Sequence, residues 1–190
     1  MSLRMHCKED NVLNEKEVAE ARNARVQEQD SDDDDDFSED TLKDKYLAFC
    51  IGEEEYCIEI RYITEIVGIQ HIAQVPDMPD FVKGVINLRG RVIPVMDVRL
   101  RFKMAAREYD ERTCVVVATV GESLVGFVVD TVREVCSIPE VDISDAPGMS
   151  RAESTRYIRG IARVGEGVKI IIDIEKLMLD DESRTEQTVN

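Results

Sequence analysis

The two halves of this chain repeat one another, and this constrains the fold more than any other feature. At an offset of 69 residues, Gly52 falls on Gly121, Glu53 on Glu122, Ile60 on Val129, Ile63 on Val132, Glu65 on Glu134 and Ile66 on Val135. At an offset of 76, Phe81 falls on Tyr157, Lys83 on Arg159, Gly84 on Gly160, Val92 on Val168, Asp97 on Asp173 and Val98 on Ile174. Order is preserved, and a seven-residue insertion between the blocks (76 against 69) reconciles the offsets. A unit of about 70 residues is small for an independent core. The expectation is two lobes, roughly 45–103 and 113–179 by sequence, that share one core.

The available apolar residues say what the lobes are made of. Apolar residues are 43% of the chain, yet aromatics are only 5% and Trp is absent. A core of Val, Ile and Leu favours strands. Period-2 patterning and turn residues place strands at Tyr46–Ile51, Tyr56–Ile60, His71–Val75, Val85–Leu88, Arg91–Met96, Thr113–Val120, Leu124–Asp130, Val132–Ile138, Val141–Ser144, Tyr157–Val164 and Val168–Ile172. Arg61–Val67 reads as a short helical turn passing into a strand. Phe81–Lys83 reads as one helical turn ended by Gly84. Asp97 and Asp173 each precede a short apolar helix and read as N-caps. Met104–Arg112 is a polar connection, and residues 147–150 are a loop.

Charge separates the body from its ends. Residues 1–45 carry 15 acidic against 7 basic side chains, and residues 180–190 carry 4 against 1. The contiguous run Asp32–Asp36 repels itself and lacks the spaced ligands and turning glycine of a calcium loop. Residues 1–44 therefore read as a disordered acidic extension and 180–190 as an acidic tail. A formal net charge of −16 argues against nucleic acid, where a basic footprint is expected.

Chemistry is sparse. His71 heads a strand with no local carboxylate or Cys partner, and His6 lies in the acidic extension. The glycines punctuate hairpins without forming a nucleotide fingerprint. Five cysteines, odd in number and without a CxxC pair, read as reduced thiols in a cytoplasmic chain; Cys50, Cys114 and Cys136 read as small hydrophobes within strands. No apolar run is long enough to span a bilayer. The chain reads as a soluble non-enzyme with neither metal nor cofactor.

What remains is the stretch Val75–Phe102, VPDMPDFVKGVINLRGRVIPVMDVRLRF, which holds three of the five prolines. Its Asn87-Leu88-Arg89-Gly90 faces Arg163-Val164-Gly165-Glu166 in the second copy. A structural turn need not carry Arg, so an arginine in one copy only suggests use. Lys83, Arg91, Arg99 and Arg101 lie close by, and a guanidinium offers a planar fork to a partner carboxylate. Glu65, Ile60, Ile63 and Ile66 form a second candidate group.

The segment FVKGVINLRGRVIPVMDVRLRF resembles the CheW-like family of chemotaxis coupling proteins. YLAFCIGEEEYCIEIRYITEI, VGFVVDTVREV and YIRGIARVGEGVKIIIDIEKLM extend the resemblance over about Asp44 to Leu179. It implies a mainly β fold of two packed five-stranded SH3-like barrels with a few short helices, and no catalysis. It implies an adaptor that links chemoreceptor cytoplasmic tips to the regulatory domain of the histidine kinase CheA. The family's motif arginine falls on Arg89, and its partner-contact positions on Ile63, Glu65, Lys83 and Gly84; Asn87 and Gly90 complete the turn. The isolated protein is expected to be a cytoplasmic monomer recruited to membrane-associated arrays. Two other readings stand beside this one: a CheW-like scaffold of a non-motility chemosensory pathway, and, more remotely, an oligonucleotide-binding β-barrel protein, against which the charge balance speaks.

Overall fold

A computed structural model describes residues 42–145, 156–165 and 167–179. The acidic extension up to residue 41, the loop 147–150, Glu166 and the tail from residue 180 lie outside the described residues. Among the described residues there are eleven strands: β1 (Lys45–Ile51), β2 (Glu54–Glu59), β3 (Ile63–Gly68), β4 (Val82–Leu88), β5 (Arg91–Asp97), β6 (Cys114–Val120), β7 (Ser123–Val129), β8 (Thr131–Ser137), β9 (Ile143–Ser144), β10 (Ile158–Val164) and β11 (Gly167–Ile172). Short helices α1 (Val98–Arg101) and α2 (Ile174–Leu179) follow β5 and β11. A 3-10 turn, Ile60–Tyr62, leads into β3, as the mixed pattern there suggested.

The repeat is physical. Shifting β1 by 69 residues gives β6, and shifting β4 by 76 gives β10. Pairing repeats too: β5 runs parallel to β7 with Val95 opposite Gly126, and β11 runs parallel to β2 with Ile171 opposite Cys57. Both copies shift register at the same place, between Val82 and Gly84 and between Ile158 and Gly160.

The sheets nevertheless cross the 45–103 and 113–179 division. One has the order β8-β1-β2-β11-β10-β9 and the other β3-β6-β7-β5-β4. Each opening hairpin is inserted into the sheet built by the other copy. The expected mainly β fold of two packed lobes with a few short helices is present, its two sheets having six and five strands among the described residues. The sixth strand is the two-residue β9, whose counterpart in the other sheet is a single bridge between Ala73 and Val85. That bridge is all that forms of the strand expected at His71–Val75. Val82 and Lys83, expected in a helical turn, belong to β4, because Asp97 N–H donates to the Phe81 carbonyl and draws this segment into the β5 ladder.

Alternation along the strands divides the interior into three clusters. Leu47, Phe49 and Ile51 of β1, Val116 and Ala118 of β6, and Tyr157, Ile174 and Leu177 meet in one core between the sheets. The opposite faces make two smaller clusters. Tyr46, Ala48, Cys57, Ile138, Ala162 and Ile171 belong to the six-stranded sheet, and Ile86, Ile93, Val95, Val115, Val117 and Val128 to the five-stranded one. The shared core is what two copies, each too small for an independent core, require.

Gly84 shows how tightly a glycine can be specified. Its φ is +135°, and a Cβ there would stand 2.1 Å from the carbonyl oxygen of Ala73. Gly160 meets the corresponding limit, with Ser144 O at 2.8 Å. Gly84→Ala combines a backbone conformation that only glycine adopts readily with overpacking against main chain. The expected cost is roughly 2–5 kcal/mol, read as a lower denaturant midpoint.

Both expected caps are present. Asp97 Oδ1 accepts from Leu100 N–H at 3.2 Å, and Asp173 Oδ1 accepts from Lys176 N–H at 3.0 Å. Partial burial alone would raise the Asp173 pKa; the Lys176 N–H and ammonium outweigh it and hold the carboxyl below its usual value. A depressed folded-state pKa means that the cap's contribution is present above pH about 4 and fades as pH falls through the folded value. Asp173→Ala should cost about 1 kcal/mol near neutrality, and chemical denaturation at low pH should show that difference shrinking.

Candidate functional site

The β4–β5 hairpin closes through two residues, Arg89 at φ +52° and Gly90 at φ +84°. Two successive positive φ values make the turn whose twist matches that of paired strands. Asn87 Oδ1 accepts from Gly90 N–H at 2.9 Å and ties the turn down. Glycine suits the left-handed conformation; arginine does not, at a cost of roughly 1–2 kcal/mol. The second copy makes the comparison internally. Gly165, the counterpart of Arg89, has φ +61°. The same backbone conformation is thus filled by glycine in one copy and by arginine in the other, so the fold does not account for the arginine.

The Arg89 side chain is 81% exposed, and Nη2 lies 3.0 Å from Glu65 Oε2. Glu65 comes from β3 and Arg89 from the β4–β5 turn, at opposite ends of the strand order β3-β6-β7-β5-β4. The sheet must curl for the two to meet, and their ion pair spans its two edges. A pair this exposed contributes about 0–1 kcal/mol. Its larger effect is to orient a guanidinium with most of its five donors still facing solvent. A partner carboxylate is the chemical match.

The seven residues singled out in the sequence form more than one group. Glu65, Asn87, Arg89 and Gly90 come together at the turn. Lys83 and Gly84 sit at the other end of β4, roughly 15–20 Å away along the strand. Ile63 opens β3 at a register shift, half-buried against the shared core. Lys83 is half-buried, and Gly84 is buried beside Ala73. His71 is exposed. Among the described residues, no group of three or more His, Cys, Asp or Glu could hold a metal ion, and no helix is long and apolar enough to cross a membrane.

Sequence reasoning passed over two features. Val92 and Val168 are matched positions of the repeat, and they are 71% and 51% exposed just beyond their hairpin turns. Alternation with buried Ile93 carried that signal for Val92. The connection after α1, expected only to be polar, is tied back to the body. Tyr109 Oη donates to Asp97 Oδ2 at 2.8 Å, and burial together with that bond pushes its phenol pKa up. Arg107 pairs with Asp110 and reaches Asp130, which also accepts from Arg99 and from Gly52 N–H at 2.7 Å.

Comparison with known proteins identifies the family and agrees with the fold. The family model for the CheW-like domain matches residues 45–182. The chemotaxis protein CheW of Klebsiella aerogenes is 39% identical over 143 residues, covering 75% of this chain and 86% of that protein. Protein FrzA of Myxococcus xanthus is 27% identical over 103 residues, covering 54% and 64%. The crystal structure of the scaffolding protein TtCheW from Thermoanaerobacter tengcongensis superposes with a TM-score of 0.66 at 32% identity, covering 70% of this chain and 91% of that one.

Proposed function

We propose, for a chain that belongs to the CheW-like domain family, that it is a non-enzymatic adaptor coupling chemoreceptors to the histidine kinase CheA. The observation that carries this reading is Arg89. It is an exposed guanidinium held, against backbone preference, where the repeat places a glycine. A residue that the fold disfavours and the solvent surrounds has its use in a partner.

The receptor's helical hairpin tip lies in the groove between the lobes, touching Ile63 and its apolar neighbours. Arg89, oriented by Glu65, Asn87 and Gly90, binds an acidic group on the partner. Lys83 and Gly84 belong to a second contact at the far end of β4. Aliphatic ends such as Val92 take the regulatory domain of CheA. The protein acts in the cytoplasm, is monomeric when isolated, needs no cofactor, binds no nucleic acid and reaches the membrane only through receptors. Signalling requires only that the receptor favour one arrangement of the bound kinase over another.

Reconstitution tests this. Receptor-bearing membranes, purified CheA and the full-length protein are sedimented together, with each component omitted in turn. The protein should bring CheA into the pellet. CheA that pellets equally without it, or never pellets at all, would remove the adaptor role.

A further inference from the structure

The Arg89 turn presents two guanidinia. Arg91, two residues on, is also exposed and makes no ion pair among the described residues. Together they outnumber Glu65, the one carboxylate that Arg89 meets. The matched turn of the second copy offers a single exposed arginine, Arg163, and its sequence sets Glu166 beside it. Arg61 lies nearer the start of β1, but it is already paired with Glu59 at 2.7 Å and lies over the Tyr62 ring. The Arg89 turn is therefore a surface for a ligand that carries carboxylates. This chain holds such a ligand itself. Residues 30–40, outside the described residues, read DSDDDDDFSED, with eight carboxylates and no cation.

We propose that the acidic segment 30–40 is an internal ligand of the Arg89 turn, competing with the partner's acidic group for Arg89 and Arg91. Reach permits it. Tyr46 stands opposite Glu59 in the β1–β2 ladder, a step of ~5 Å. From Glu59 the chain arrives at Glu65 in six residues (65 − 59), at most ~22 Å. The Glu65 carboxylate then lies 3.0 Å from the Arg89 guanidinium. With the Glu65 side chain and the step from Lys45 to Tyr46 added, Lys45 is within roughly 40 Å of that guanidinium. The 13 residues from Asp32 to Lys45 (45 − 32) span up to ~43–47 Å. A tether this short sets a local concentration on the order of millimolar. A contact of millimolar affinity then fills the turn about half of the time or more, and lowers the partner's apparent affinity by roughly two- to tenfold. The competition rests on the adaptor reading; the contact itself does not.

Amide NMR spectra test the contact without any partner. They compare the full chain with a variant carrying D32N, D33N, D34N, D35N and D36N, substitutions outside the folded body. At low ionic strength the Gly90 and Arg91 amides should shift between the two chains. That difference should collapse near 1 M salt, where the Debye length is ~3 Å. Gly165, in the matched turn, is the internal comparison and should move less. A Gly90 amide that stays in place, or moves no more than Gly165, would overturn the proposal. The competition is read by titrating both chains with a receptor cytoplasmic fragment. The variant should bind roughly two- to tenfold more tightly than the parent at low salt. Equal affinities would remove the competition, and weaker binding by the variant would make the segment a ligand of the partner instead; either result overturns the proposal. If neither chain binds receptor or CheA, the adaptor reading fails and takes the competition with it, while the spectra still decide the contact.

Discussion

Residues 45–103 expressed alone will stay unfolded, and so will residues 113–179, although each carries a whole copy of the repeat. The reason is the strand exchange. In the first half alone, β1 and β2 lose β8 and β11, their outer neighbours, while β3 and β5 lose β6 and β7 from between them. A lone two-stranded hairpin is marginal at best in water. The shared core is cut as well, since Leu47, Phe49 and Ile51 pack with Phe127, Val129, Tyr157 and Leu177 from the second half. The expected result is collapsed amide dispersion by NMR and no cooperative thermal transition in either fragment, against a single transition for residues 42–182. A cooperative melt in either half would show that the exchanged hairpins are dispensable.

The second large effect separates stability from function at one position. Arg89→Gly removes a left-handed arginine and installs the residue that the second copy uses. The backbone gain, about 1 kcal/mol, offsets the loss of an exposed ion pair with Glu65. Its unfolding midpoint should therefore match the parent within about 1 kcal/mol. Partner binding, if the guanidinium meets a desolvated carboxylate, should weaken by about 2–5 kcal/mol, or roughly 30-fold and upward. Arg89→Glu should be worse, because it sets a second carboxylate against Glu65 and repels the partner's acidic group. Equilibrium denaturation and binding titrations against CheA and a receptor fragment give the two halves of the prediction. A variant that loses stability and binding in proportion would reduce Arg89 to a structural residue.

How much of this was legible in the sequence follows from which interactions are local. Alternation located most strands, and Asp97 and Asp173 announced their helices because capping is decided within three residues. The matched glycines Gly84 and Gly160 showed in the repeat, though their reason, a main-chain approach from Ala73 and Ser144, did not. Hairpin exchange was invisible, because a repeat reports which segments are alike and not which copy each one joins. The 71–75 strand failed because β propensity cannot show how little partner a segment finds. At the site, Arg89 and Glu65 were each singled out, but their contact depends on sheet curl between residues 24 apart in sequence (89 against 65). The ion-pair cluster of Lys169 with Glu55 and Glu134 joins three strands from both halves, so no local pattern could have assembled it.

One measurement tests the central claim most directly: the fraction of CheA that sediments with receptor-bearing membranes as the parent protein, Arg89→Gly or Arg89→Glu is titrated in. The account predicts saturable recruitment by the parent, strongly weakened recruitment by Arg89→Gly at unchanged stability, and none above background by Arg89→Glu. Recruitment by Arg89→Glu equal to that of the parent would contradict it.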